Sequence, residues 1–212
     1  MIFGCDVSYC QKSTLVNWAD PRIAFGIVKA SEGVSQDTHV LDHTISIRNA
    51  RKKLGLYHFF RIDVEPRGQF ECFDTVANRV SYGKPVDIVP AIDIEYYHGH
   101  EVTKSWTSPV KSFADMLEEA FGAKPLLYCS QATWLCLGSP DWFKDYPLWV
   151  PLYVRDGLPM PAALSSKHVP QGRADWCIWQ RYVGPLFGTI QQSKASNAVD
   201  QNWAQRLPLI GD

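Results

Sequence analysis

Val86–Glu95 reads VDIVPAIDIE, a mostly apolar run that ends in two carboxylates one residue apart, Asp93 and Glu95. Alternate residues of a strand point to the same face, so both acids project to one side of an extended run. A short apolar strand that closes on two same-facing acids is suited to deliver an acid pair to the cleft of a barrel or sheet. Two carboxyls held together split their pKa values, so that one stays charged while the other keeps a proton near neutral pH. Glycosidic bond cleavage uses such a pair, one member as the proton donor.

Strand-like and helix-like segments alternate on both sides of this run. Ile2–Val7 and Arg22–Ala30 read as strands, and Asp37–Leu54 as a helix with Asp37 as N-cap, a basic last turn and Gly55 beyond it. Leu56–Arg61 is a third strand, Arg67–Tyr82 a second helix stopping near Gly83, and Asp87–Glu95 the fourth strand. Ser108-Pro109 opens another helix in the preferred order, a capping residue and then Pro, and Gly122 closes it. Pro125–Ser130, Pro147–Val154 and Cys177–Tyr182 supply three more strands, Leu158–Arg173 reads as loop, and Asn197–Gln201 as a short last strand.

The βα units of the first two-thirds imply a parallel α/β sheet with right-handed crossovers. Eight strands suggest closure into a barrel with incomplete helical cladding, and an open doubly wound sheet is the alternative. Gly26 and Gly33 stand alone and match neither a dinucleotide fingerprint nor a P-loop. With no repeat, linker or low-complexity tail, residues 1–212 read as a single domain without a separate wall-binding module.

Composition narrows the class. The 212 residues carry a net charge of −1, which leaves no electrostatic footprint for nucleic acid or anionic lipid. No apolar stretch is long enough to span a bilayer, and Met1 runs into the first strand without a basic region or a cleavage site. A protein made in the cytoplasm, a host's if phage-encoded, and acting as a monomer is the expectation. Cys5, Cys10, Cys72, Cys129, Cys136 and Cys177 show no metal spacing. Most read as reduced core thiols, with a Cys5–Cys10 or Cys129–Cys136 bridge as the alternative. His98 and His100 in YYHGH lack a third ligand at metal spacing. No metal or other cofactor is expected.

In a parallel barrel the functional groups gather at the C-terminal strand ends. Those ends carry Asp6 and Ser8, Lys29, Ser31 and Glu32, Tyr57 and His58, Asp93 and Glu95, Tyr128 and Ser130, Trp149 and Tyr153, Trp179 and Gln180, and lastly Asp200. Acids on four strands would converge on one rim. Glu32 either lines that rim, pairs with Lys29 or serves its loop, Asp6 could instead close a turn, and Trp179 is a candidate sugar face. Tyr96 and Tyr97 are either loop packing or a wall of the groove.

Eight motifs, in order, resemble glycoside hydrolase family 25, the Chalaropsis-type lysozymes of fungi, bacteria and phage endolysins. They are GCDVSYCQ…NW, KASEG, GLYHFF, AIDIE, LLYCS, LWVPLY, WQRY and VDQN, spread from about Phe3 to about Trp203. The resemblance implies a modified (β/α)5(β)3 TIM-like barrel. It also implies hydrolysis, with retention, of the β-1,4 bond between N-acetylmuramic acid and N-acetylglucosamine in peptidoglycan glycan strands. Carried over by position, Glu95 resembles the general acid, Asp93 its partner, and Asp6 and Asp200 the remaining acids of the cleavage subsite. Tyr57, Tyr128, Trp149 and Tyr153 resemble its sugar-contacting aromatics. The chain departs from the family pattern at Lys12, Pro151 and Arg181, which bear on subsite shape. A catalytically silent glycan-binding or inhibitor protein on the same barrel is the alternative function, which intact Asp93 and Glu95 argue against.

Overall fold

The computed structural model describes residues 1–81, 84–153, 164–184 and 198–211. Its strands are β1 (Ile2–Val7), β2 (Phe25–Glu32), β3 (Ser35–Gln36), β4 (Lys53–Phe59), β5 (Ala91–Asp93), β6 (Leu126–Tyr128), β7 (Leu148–Pro151), β8 (Ile178–Gly184) and β9 (Val199–Ala204). Its α-helices are α1 (Val40–Asn49), α2 (Pro66–Ser81), α3 (Thr107–Phe121) and α4 (Gln131–Cys136). The ring runs β1–β2–β4–β5–β6–β7–β8–β9 and closes where β9 pairs with β1. Neighbours from β1 through β8 are parallel, while β9 is antiparallel to both of its flanks. β3 only extends the end of β2 as an antiparallel hairpin. The expected closed α/β barrel is therefore present.

Period-two alternation separates two cores. Phe25, Ile27, Ala91, Leu126, Ile178 and Ala204 point inward and fill the lower barrel. Val28, Leu56, Ile92, Leu127 and Val150 point outward, onto Ile47, Phe73, Phe113 and Leu117 of the helices. Gly4 lies beside Phe25 in the register of β1 and β2, and a Cβ there would stand 2.5 Å from the Phe25 ring. The first strand must be bare at that point for the barrel to fill with Phe25. In α3, Val110, Phe113, Ala114 and Leu117 bury one face, and Gly122 ends the helix in the left-handed conformation that favours glycine.

Several boundaries differ from the expected ones. The helix expected over Asp37–Leu54 is confined to Val40–Asn49, with His39 rather than Asp37 at the N-cap. The Asp37 carboxylate instead accepts the backbone N–H groups of His39 (2.8 Å) and Tyr9 (2.9 Å), which ties the loop after β1 to the start of α1. α3 begins at Thr107 with Trp106 as its cap, so Pro109 sits inside the first turn, where a missing N–H costs nothing. The fourth expected strand, Asp87–Glu95, contracts to Ala91–Asp93, and its start lies just past Pro90, which has no N–H to donate. The residues before it pair with the C-terminal segment, Ile88 bridging Leu209 and the Val89 N–H donating to the Pro208 carbonyl at 3.0 Å. Tyr82, Gly83, Val154, Asn197 and the start of the Leu158–Arg173 loop lie outside the described residues. All six cysteines are free; Cys5, Cys129 and Cys177 are buried, Cys72 is half-buried, and Cys10 and Cys136 are exposed. No helix among the described residues is long and apolar enough to cross a membrane.

Candidate active site

One end of the barrel collects the ionisable side chains. Asp6 ends the inward row of β1, and Asp200 is its direct cross-strand partner at the start of β9. Asp93 closes β5, and Glu95 lies two residues on, past Ile94, which is buried in the outer core. The strand parity therefore turns Asp93 and Glu95 to the same inner side, as the sequence pattern predicts. Asp6 and Asp93 are buried, whereas Glu95 and Asp200 are half-buried and nearer the opening.

Lys29 is a cation beside these acids, and a bulge puts it there. The pairing of β2 with β4 slips between Lys29 and Ser31. In a regular strand Lys29 and Glu32, three apart, would face opposite sides. The extra residue brings both to the mouth, where Lys29 Nζ meets Glu32 Oε2 at 2.6 Å. Of the alternatives for Glu32, the ion pair with Lys29 is the one present, and it lies at the mouth. Ser31 turns outward and shares a 2.8 Å hydrogen bond with His58, whose other ring nitrogen meets Gln69 Oε1 at 2.9 Å. Burial lowers the His58 pKa to about 4, so this ring is a neutral structural group in the outer core.

A hydrogen-bonded chain fixes Asp6. Its Oδ1 accepts from Asn202 Nδ2 at 2.6 Å and Gln180 Nε2 at 3.0 Å. Asn202 Oδ1 in turn accepts from Trp149 Nε1 at 2.8 Å, and Gln180 Oε1 accepts from the hydroxyls of Tyr128 and Tyr153, each at 2.7 Å. The Trp149 ring packs edge-on against Tyr128 and Tyr57, with centroids 4.9 and 6.2 Å apart. Tyr57, Tyr128 and Trp149 are thereby a buried floor, and Tyr153, 55% exposed, is an open aromatic at the rim.

Trp179 does not join them. It is wholly buried in the outer core, 6.3 Å from the ring of Trp176, and its Nε1 donates to the Leu152 carbonyl at 2.8 Å. Adjacent strand residues face opposite sides, so an inward Gln180 forces Trp179 outward. Gln180, Asn202 and Lys29 are the members of this constellation that strand-end reading did not select as site residues. Period two gave a signal for Asn202, two residues after Asp200. Of the departures, Arg181 is the bulged residue of β8, lying between the pairs Gln180–Asn202 and Tyr182–Gln201. The bulge absorbs the residue that interrupts the motif and leaves Gln180 facing inward. Pro151 ends β7 opposite Gln180.

Electrostatics make the cluster a proton store. Burial, then the Glu95 charge, pushes the Asp93 carboxyl well up, with Lys29 pulling back. Burial likewise raises Glu95, again opposed by Lys29. Burial and Asp200 raise Asp6 against the lowering effect of its amide donors. Burial and Glu95 bring Asp200 to about 6. Among the described residues, Asp93 Oδ1 is buried without a hydrogen-bond partner. Four carboxyls beside one lysine share protons as a set.

A stability consequence follows from Asp200. Its folded pKa exceeds the unfolded value of about 4, so the folded state binds the proton more tightly. That stabilisation is complete below about pH 4 and is lost as pH rises through about 6. The unfolding free energy should fall across that window by on the order of 2 kcal/mol. Asp200→Asn should flatten the fall, as read from urea unfolding at several pH values; an unaltered slope would refute the assignment.

Outside the acid cluster, Tyr96–His100 form a tight hairpin in which Tyr97 and His100 pair, and His98 and Gly99 take positive φ. Tyr97 packs at 5.8 Å against the Phe59 ring and beneath the Arg61 guanidinium at 4.0 Å. His98 and His100 are exposed, and no metal-holding group of three or more His, Cys, Asp or Glu occurs among the described residues.

Comparison with known proteins agrees with this architecture. The model of the family Glycosyl hydrolases family 25 matches residues 5–182. Among solved structures, the bacterial lysozyme from Streptomyces coelicolor superposes with a TM-score of 0.76 at 21% identity, covering 96% of this chain and 92% of that one. A family 25 glycosyl hydrolase from Bacillus anthracis gives 0.71 at 22% identity over 100% and 89%. A family GH25 lysozyme from Aspergillus fumigatus gives 0.70 at 23% over 94% and 92%. No curated protein sequence matches the chain. The matched residues stop before β9, so the family match does not reach Asp200, and the barrel's closure brings that residue to the acids.

Proposed function

This chain belongs to glycosyl hydrolases family 25, and from that premise we propose that it is a peptidoglycan muramidase. It hydrolyses the β-1,4 bond between N-acetylmuramic acid and N-acetylglucosamine with retention. The observation that carries the reading is a cluster of proton-holding carboxyls in which a buried oxygen, Asp93 Oδ1, lacks a donor among the described residues. A buried carboxylate oxygen without a partner is costly, and a substrate N–H would relieve it. The 2-acetamido group of an N-acetyl sugar supplies such an N–H beside its reactive carbonyl. The lysozyme identities of the Streptomyces and Aspergillus structures support the same substrate class.

In the proposed sequence, the muramyl acetamido N–H donates to Asp93, which favours the charged form of Asp93 and leaves the shared proton on Glu95. Glu95 gives that proton to the glycosidic oxygen, and the bond from the anomeric carbon to the leaving N-acetylglucosamine breaks. The acetamido carbonyl oxygen attacks the same carbon, and Asp93, Asp6 and Asp200 stabilise the positive charge. Water then gives a proton to Glu95, now a carboxylate, and bonds to the anomeric carbon from the opposite face; the bond from that carbon to the acetamido oxygen breaks, which frees the acetamido group and restores the original configuration. Tyr153 and the Tyr57–Tyr128–Trp149 floor hold the sugar over Asp6.

Digestion of purified cell walls followed by borohydride reduction tests the bond assignment. Reduced muramic acid at every new end is the expected result. Reduced glucosamine ends, or walls left intact, would overturn it.

A further inference from the structure

A second concavity, of about 260 Å³, opens beside the acids and shares Lys29 with them. Tyr9, Glu32, Gln36, Thr38 and Arg61 complete the part that matters. Its cations have unspent donors. Among the described residues, the nearly buried Lys29 ammonium has one hydrogen-bond acceptor, Glu32 Oε2. Arg61 gives Nε and Nη2 to Asp63 at 3.0 and 2.5 Å and rests on Tyr97, which fixes its plane. Its Nη1 lies 4.0 Å from Glu32 Oε1, too far for a hydrogen bond, so a donor and an acceptor both stay open there.

The wall adds backbone to this. β3 is the last strand on its side of the sheet, so the outer edge of Ser35–Gln36 has no strand partner among the described residues. An unpaired strand edge is a template for an extended chain. Asp37 contributes no free group, since both its oxygens accept backbone N–H donors.

Charges of both signs beside an open strand edge suit an occupant with amide groups, carboxylates and an amine. A neutral sugar matches less well: the exposed aromatic here, Tyr9, has the Lys29 ammonium 5.6 Å from its ring centre. We infer that this cavity is a subsite for the stem peptide carried by the muramyl residue, an inference that rests on the muramidase reading. A peptide carboxylate takes Arg61 Nη1 and the spare Lys29 donors, an amide N–H or side-chain amine takes Glu32 Oε1, and the peptide backbone runs along β3.

The test compares glycan strands bearing stem peptides with the same strands stripped by an amidase that removes the peptide at the lactyl group. The readout is the ratio of kcat/KM on the two. The intact enzyme should favour stem-bearing strands by at least about tenfold, the worth of one charge-assisted hydrogen bond. Arg61→Gln should bring the ratio close to one. Glu32→Ala, at a half-buried position in the same cavity, removes the acceptor for the peptide's amide or amine and should lower it in the same direction. An equal rate on both strands for the intact enzyme, or folded variants that retain its ratio, would overturn the subsite. Absence of cleavage on either substrate would overturn the muramidase reading and the subsite with it.

Discussion

Glu95→Gln is expected to lower kcat by about 10²- to 10⁴-fold with little change in KM, the range typical of a lost general acid. Gln keeps the size and polarity of the side chain but cannot deliver a proton to the glycosidic oxygen. Glu95 is half-buried near the opening, where an amide remains solvated, so the fold should tolerate the change. Burial raises its carboxyl and Lys29 holds the rise in check, which keeps the proton available without locking it in place. Single-turnover cleavage of purified glycan strands is the decisive measurement. A fall of less than about tenfold would remove Glu95 from the role of acid.

Asp93→Asn is the second large effect, with kcat expected to fall by about 10²- to 10³-fold, the scale of one lost preorganised electrostatic contact. The substitution leaves no charge to balance the developing cation and presents an amide where the acetamido N–H needs an acceptor. Two further signs separate this from simple misfolding. Asp93 and Glu95 repel each other when both are charged, so neutralising Asp93 should let Glu95 lose its proton at lower pH and move the basic limb of the rate profile down. Removing a buried carboxylate whose Oδ1 has no partner among the described residues should also leave thermal stability equal or higher. An unshifted basic limb together with near-normal kcat would exclude Asp93 from the reaction.

Strand parity accounts for most of what the sequence made readable. Asp93 and Glu95 are two apart and share a face, and the same rule brings Asp6, Asp200, Tyr57, Tyr128 and Trp149 inward. The rule also explains the one misplaced aromatic. Trp179 and Gln180 stand side by side near the start of β8, but neighbours on a strand cannot both face the cleft, and the larger, more conspicuous side chain is the one in the outer core. Asp37 differs from its expected role for another reason: a carboxylate that accepts backbone N–H groups serves a turn as well as a helix cap, and only the fold decides which. The amide chain Gln180–Asp6–Asn202 joins β8, β1 and β9, so no local spacing encodes it. The bulges beside Lys29 and at Arg181 were likewise invisible, because a one-residue slip appears only once a partner strand exists to slip against.

The placement of β9 bears on when the enzyme comes into being. β1 and β9 are far apart in sequence yet neighbours in the barrel, with β9 inserted between β1 and β8. Pairings of such wide sequence separation are late and slow in folding, since much chain entropy is lost before they form. A growing chain that stops short of Val199 already holds Asp93 and Glu95 yet lacks Asp200 and Asn202, and the seam beside Asp6 stands open. Fragments cut before this strand are therefore expected to leave purified cell walls intact, since they lack Asp200 and Asn202 and the ring stays unshut.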